Sequence, residues 1–162
     1  MNRRCRGRHV AWLLLLVLIA PATSWAVLES CTVSATPLPF GVYNPASASP
    51  ADATGTISVT CDVSLIGLFA SWSIRMSPGG SASYAPRRLS SGAATLSYNL
   101  YTSSAHTTVW GDGSASTAIV SDSQTLLVGS NTEHYTVYGR IPPLQDVRAG
   151  SYSDSIVVTV MY

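Results

Sequence analysis

The chain has 162 residues, of which 46% are hydrophobic and only 10% charged, with a formal net charge of +1. That length suits one ordinary domain. With no lysine, and nine arginines against eight acidic residues, the chain lacks the basic field that nucleic-acid binding requires.

The first 26 residues read as a leader. Arg3, Arg4, Arg6 and Arg8 form a basic start, and Val10 to Ala20 is an uninterrupted apolar run of 11 residues. Pro21 ends the run, and Ser24-Trp25-Ala26 places small residues at the two positions a signal peptidase reads. This is the layout of a Sec signal peptide. The run is shorter than the roughly 20 residues a spanning helix needs. Leu28-Glu29-Ser30-Cys31 is a poor lipoprotein box, because Glu29 is wrong for it and Cys31 lies too far from the apolar run. The residues after Arg3-Arg4 do not fit twin-arginine export. The reading is therefore a signal peptide over 1–26 and one domain over 27–162, delivered to the periplasm. That domain holds five arginines and eight acidic residues, a net charge of −3, so the positive charge belongs to the leader.

Cys5 leaves with the leader, so Cys31 and Cys61 remain. In an oxidising compartment two cysteines permit one pairing. Zinc would need further ligands that do not lie nearby. A Cys31–Cys61 disulfide is expected, and closing a loop of that size is worth about 3–4 kcal/mol on the chain-entropy model.

Beyond Val27 there is no long helical periodicity. In Thr56–Asp62, Ile57, Val59 and Cys61 share one face; in Ser71–Ser77, Trp72, Ile74 and Met76 do so. Leu96, Tyr98 and Leu100 form a third such set, and Tyr135, Val137 and Ile141 a fourth. Period-two alternation of this kind predicts strands with one face on a core and one in water. Pro45–Gly55 reads as a loop. Turns are signalled at Pro78-Gly79-Gly80, Ser90-Ser91-Gly92, Asp112-Gly113 and Ala149-Gly150. The last segment, Ser155–Tyr162, is apolar on both faces, with Ile156, Val158, Val160 and Tyr162 on one and Val157 and Met161 on the other. That pattern predicts a central or covered strand. If its edge is bare instead, the absence of charge and proline over 155–162 makes it either a docking site or an aggregation hazard. Short alternating strands with these turns point to an all-β sandwich.

No catalytic or metal-binding pattern emerges, and no cofactor is implied. His106 and His134 sit in polar, turn-like sequence and read as solvated. There is no Gly-x-Ser-x-Gly elbow, Asp112 between two glycines is an ordinary turn residue, and a calcium loop would need more oxygen ligands. The chain reads as a non-enzyme. The uncharged stretch Leu65-Ile66-Gly67-Leu68-Phe69-Ala70-Ser71-Trp72 stands out. It is either a strand entering the core through Trp72 or an exposed adhesive loop carrying Leu65, Ile66, Leu68 and Phe69.

Taken in order, seven segments are recognisable: Cys31–Ser34, Phe40–Pro45, Gly55–Cys61, Leu96–Tyr101, Val109–Gly113, Tyr138–Pro142 and Gly150–Ser155. Together they resemble the spore coat protein U-like family over nearly all of residues 27–162. The resemblance implies a subunit of an archaic chaperone–usher pilus, exported through the periplasm to the cell surface and serving attachment and biofilm formation. It implies an immunoglobulin-like sandwich lacking its final strand, with an open acceptor groove that a periplasmic chaperone fills first and the donor strand of a neighbouring subunit fills afterwards, at an outer-membrane usher. The groove is expected beside Ile156, Val158, Val160 and Tyr162.

One feature departs from a polymerising subunit. With cleavage after Ala26, only four residues precede Cys31, about 13 Å of extended chain. The expectation is a subunit that accepts a donor strand without giving one, as at a fibre tip. The rivals are a self-complete secreted coat or matrix protein, and a carbohydrate-binding module stacking sugars on exposed Tyr101, Trp110 and Tyr138.

Overall fold

A computed structural model of the protein describes residues 28–64 and 68–162. The signal peptide expected over 1–26, and Leu65 and Ile66 of the expected adhesive loop, lie outside the described residues. The longest strands, β2 (Ala51–Val63) and β7 (Gly129–Ile141), run antiparallel through an unbroken register from Ala51 opposite Ile141 to Val63 opposite Gly129. On β2 the apolar alternation buries Ile57, Val59, Cys61 and Val63 and turns Thr56, Ser58, Thr60 and Asp62 outward. A strand begins at Ala51, so the expected loop over Pro45–Gly55 is shorter than its Ala/Ser/Pro composition suggests. Ala53 and Gly55 carry too little apolar surface for the alternation to be legible there.

β1 (Leu28–Ala35) flanks β2 on one side, while β5 (Ala94–Tyr101) and β4 (Arg87–Ser91) extend the sheet beyond β7, giving the order β1-β2-β7-β5-β4. The second sheet is β6-β3-β8, built from β6 (Val120–Leu126), β3 (Leu68–Met76) and β8 (Val158–Met161). The inner faces meet in one core. Trp72, Ile74 and Met76 of β3 pack against Ile57, Val59, Leu96, Tyr98, Leu100, Val137 and Ile141, with Trp110 inserted from the loop after β5. Burying a side chain of this size contributes roughly 1.5–3 kcal/mol, so the four alternating segments read from sequence supply most of the core. All pairings between named strands are antiparallel. The architecture is the expected all-β, immunoglobulin-like sandwich.

Two strands escaped the sequence reading. β4 carries arginine at an inward position, and β6 turns Asp122 and Gln124 toward the interior. Both are stabilised by partners from distant strands. The Trp72 indole N–H donates to the Tyr135 hydroxyl at 2.8 Å, and Tyr135 donates to Asp122 Oδ2 at 2.8 Å, linking the two sheets. These two bonds satisfy the partly buried indole N–H and phenol hydroxyl.

Three expectations are corrected. The final strand is neither central nor covered: β8 pairs with β3 alone, from Met76 opposite Val158 to Ser73 opposite Met161. β1 runs beside β8, but its backbone hydrogen bonds go to β2. Val157 and Met161 are consequently exposed, and Tyr162 follows the end of the strand at 62% exposure. His106 is not solvated. Its side chain is 7% exposed and stacks edge-on between Tyr101 and Tyr138, at 5.2 and 6.3 Å, beside the Asp52–Arg140 ion pair. Trp110 offers no sugar platform, because it is 1% exposed and its indole N–H donates to the Ile74 carbonyl at 3.0 Å.

Candidate groove between the sheets

β1 and β8 are the facing edges of the two sheets, and no hydrogen-bonded ladder closes the gap between them. After Ala35 the chain leaves the sheet and runs as an irregular strap, Thr36 to Tyr43, along one side of that gap. Pro37 and Pro39 lack the N–H that would extend the β1–β2 ladder, and the last backbone bond to β2 is from Thr36 N–H to the Thr56 carbonyl at 2.9 Å. The opposite side is the segment running into β8. Between these rims lies an apolar groove with Ile57, Tyr98, Leu100 and Val137 in its floor and Met76, Ile156 and Val158 along its wall.

The strap is held by shape. A Cβ at Gly139 would lie 2.7 Å from Leu38 Cδ2 and 2.8 Å from Phe40 Cζ, so glycine there makes room for both side chains. Phe40 meets the Tyr98 ring edge-on at 5.8 Å. Farther on, Tyr43 donates its hydroxyl hydrogen to the Pro142 carbonyl and accepts from the Gln145 N–H, both at 2.9 Å. Gln145 in turn pairs with the Ser97 backbone through both ends of its amide, at 2.8 and 2.9 Å. It replaces a strand neighbour at that edge of β5.

The other rim turns on Asp154. Its Oδ1 accepts from the Gly80 and Ser155 N–H groups and its Oδ2 from the Tyr98 hydroxyl, each at 2.8 Å. Burial, then Asp154, raises the Tyr98 pKa well above the ordinary phenol range, so Tyr98 stays a donor. Near this end, Arg87 is 0% exposed. It donates to the Ser77 carbonyl through Nε and Nη2, to the Trp110 carbonyl through Nη2 and to Asn99 Oδ1 through Nη1, and its guanidinium lies 4.9 Å from the Tyr84 ring centre. Burial lowers its pKa. Asp154 and Arg87 went unread in the sequence, because nothing local separates a structural charged residue from a solvated one.

Ile156, Val158 and Val160 are half-buried against the core, and the first two line the groove. Tyr162 does not join them. With Met161 it borders a shallow cleft shared with Ser71, Ser73, Ser121 and Ser123. Cys31 and Cys61 are disulfide-bonded across the β1–β2 ladder, where they are register partners. Leu68 opens β3 opposite Leu126, and Phe69 is 68% exposed. The turn after Leu126 adds two exposed apolar residues that the sequence reading missed, Leu127 and Val128. Among the described residues, no three His, Cys, Asp or Glu side chains gather as a metal site would need.

The sequence model of the Spore Coat Protein U domain matches residues 18–159. Among solved structures, a chain of the CsuC–CsuE chaperone–tip adhesion subunit pre-assembly complex, from the archaic chaperone–usher Csu pili of Acinetobacter baumannii, aligns with a TM-score of 0.50 and 20% identity. The alignment covers 82% of this chain and 40% of that one. At this identity the likeness is one of fold. Comparison with curated proteins finds no match.

Proposed function

The chain belongs to the Spore Coat Protein U domain family, and from that premise we propose that it is a subunit of a chaperone–usher surface pilus that receives a donor strand in the groove between the strap after β1 and the segment leading into β8. The observation that carries this reading is the open groove itself. Two facing sheet edges lie alongside an apolar floor and a rim containing Ile156 and Val158. A strand laid into such a gap pairs its main chain with an open edge and seats alternate side chains in the floor. A periplasmic chaperone would hold the groove first, and the N-terminal strand of a neighbouring subunit would replace it at the outer-membrane usher. The subunit has no catalytic role. It reaches the periplasm through a Sec leader over 1–26, and residues 27–162 form the pilus domain.

A tip position with an adhesive end is the finer reading. Phe69, Leu127 and Val128 are exposed, and Phe69 and Leu127 lie in or next to the paired ends of β3 and β6. A charge-free patch there suits adhesion to an apolar surface and biofilm growth, with Leu65, Ile66 and Leu68 beside it in sequence. Serine at Leu65, Ile66 and Leu68 should abolish attachment of fully assembled fibres, and unchanged attachment would reject the adhesive role.

The deciding experiment exports residues 27–162 to a bacterial periplasm without a pilus chaperone. Proteolysis or aggregation, reversed by a co-expressed chaperone or a donor-strand peptide, is the expected result. A soluble monomer that unfolds cooperatively without either would identify a self-complete coat or matrix protein instead.

A further inference from the structure

The outer faces of the two sheets carry hydroxyl side chains in different states. On the large sheet they pair across the strands: Thr60 with Thr132 and Ser58 with His134 Nδ1, both at 2.8 Å, and Ser130 with Asp62. On the small sheet Ser71 stands opposite Ser123 and Ser73 opposite Ser121, on the face turned away from the core that Trp72, Ile74 and Met76 enter. Among the described residues none of these four hydroxyls is bonded to another side chain; Ser123 is held through its backbone N–H alone. They lie instead in a shallow cleft of 610 Å³, which Met161, opposite Ser73, and the exposed Tyr162 close on the β8 side.

The cleft has the dimensions and chemistry of a sugar seat. Two residues along a strand span about 7 Å and paired strands stand about 5 Å apart, so the four serines mark a rectangle close to one pyranose ring in size. A serine hydroxyl both donates and accepts, as sugar hydroxyls do, and the Tyr162 ring offers an apolar plane for the C–H face of a neighbouring unit. No cation lies among the lining residues. The acid that borders the cleft, Asp122, already accepts from Tyr135, the Ser123 N–H and the Gln124 amide. The lining therefore repels acidic ligands and needs no charged one. Its floor of straight paired strands admits a flat, extended chain better than a coiled one.

We propose that this cleft binds an uncharged, extended polysaccharide of the cellulose kind, with one sugar ring over the four serines and the next against Tyr162. The site shares no lining residue with the groove between the sheets, so it stands whether or not that groove accepts a donor strand.

The test titrates cellohexaose into the soluble mature chain by calorimetry, with a donor-strand peptide present where the chain needs one to stay folded. Saturable binding is expected. Tyr162→Ala should weaken it about tenfold, whereas Tyr162→Phe keeps the ring and the binding. Ser71→Ala together with Ser123→Ala should also weaken it about tenfold; if that pair does not fold, Ser123→Ala alone should weaken it about threefold. Thr60→Ala with Thr132→Ala, on the large sheet, should change nothing. Maltohexaose, the same sugar in a coiled chain, and oligogalacturonate, an acidic chain, should each bind about tenfold more weakly than cellohexaose. Absence of cellohexaose binding, or binding indifferent to the Tyr162 and serine changes, overturns the site. Equal or tighter binding of maltohexaose or oligogalacturonate overturns the choice of ligand.

Discussion

The Tyr98 hydroxyl donates to Asp154 Oδ2 at 2.8 Å, joining the groove floor on β5 to the rim that leads into β8. Asp154 simultaneously gathers the Gly80 and Ser155 N–H groups, so one carboxylate orders the turn after β3, the floor and the rim. Tyr98→Phe leaves the ring packing in place and removes one donor to a charged acceptor. We expect a loss of about 1.5–3 kcal/mol in urea unfolding. Asp154→Ala should cost more and raise amide exchange over 155–158, whereas a rim unchanged in exchange would show that Asp154 does not organise it.

Gly139→Ala tests the seating of the strap. The added methyl meets Leu38 and Phe40 at less than 3 Å. Overpacking of this kind costs about 1–3 kcal/mol, and the strap is the side free to move because it lies outside the β ladders. Exchange should increase over residues 38–43 while β2 and β7 remain protected. Equal loosening of β7 would mean that the sheet, not the strap, yields.

Arg87 has no exposed surface and is bound to the Ser77 and Trp110 carbonyls and to Asn99. Arg87→Ala leaves these acceptors buried without a donor and should destabilise the domain by about 3–5 kcal/mol. Arg87→Lys cannot reproduce the planar fork and should recover only part of the loss. Chemical unfolding of the two variants at the same pH separates the outcomes; a full recovery by lysine would reduce the role of Arg87 to its charge.

Acid stability depends on carboxylates held below their ordinary pKa. Hydrogen bonding from Tyr135 depresses Asp122, and the guanidinium of Arg140 does the same for Asp52, which it grips at 2.7 Å through Nε and Nη2. A depressed native pKa contributes stability above the unfolded-state value of about 3.9 and loses it as pH falls through the native value. Stability should therefore be flat near neutrality and decline below about pH 4. Asp122→Asn and Tyr135→Phe should each flatten that decline, measured as urea midpoints between pH 2 and 7. The Asp52–Arg140 pair is substantially exposed, and its coupling should be only about 0.2–1 kcal/mol in a double-mutant cycle.

The Cys31–Cys61 bond closes a sequence separation of 30 residues at the edge of the core. Its reduction should cost about 3–4 kcal/mol through the unfolded chain, and exchange should rise first in β1, whose hydrogen-bonded partner is β2 alone. Denaturation with and without reductant checks the magnitude, and exchange the location.

The residues that carried the fold in sequence were those whose neighbours along the chain reveal their environment. Ile57, Val59 and Cys61, or Trp72, Ile74 and Met76, alternate with hydroxyl side chains and can bury only one face. β6 was illegible for the converse reason: Asp122 takes an inward position because Tyr135, 13 residues beyond it, supplies a partner, and Gln124 donates to Asp122. His106 looked solvated beside its polar neighbours, yet Tyr101 and Tyr138 cover it. Ile156, Val158 and Val160 share one half-buried face, as their alternation implies, though only the first two line the groove. The strap residues Leu38 and Phe40 were not read as a rim, because two prolines and a glycine break any period there.

The sequence by itself determined an all-β sandwich, because alternation is a local property of the chain, and it pointed to the Cys31–Cys61 pairing on the expectation that Cys5 leaves with a leader. Only the tertiary structure decided that β1 and β8 face one another without a ladder, and that Asp154 and Arg87 brace the groove's end. Those features depend on which distant backbone edges and side chains meet, and the strand pattern permits several answers to that. Packing selects one.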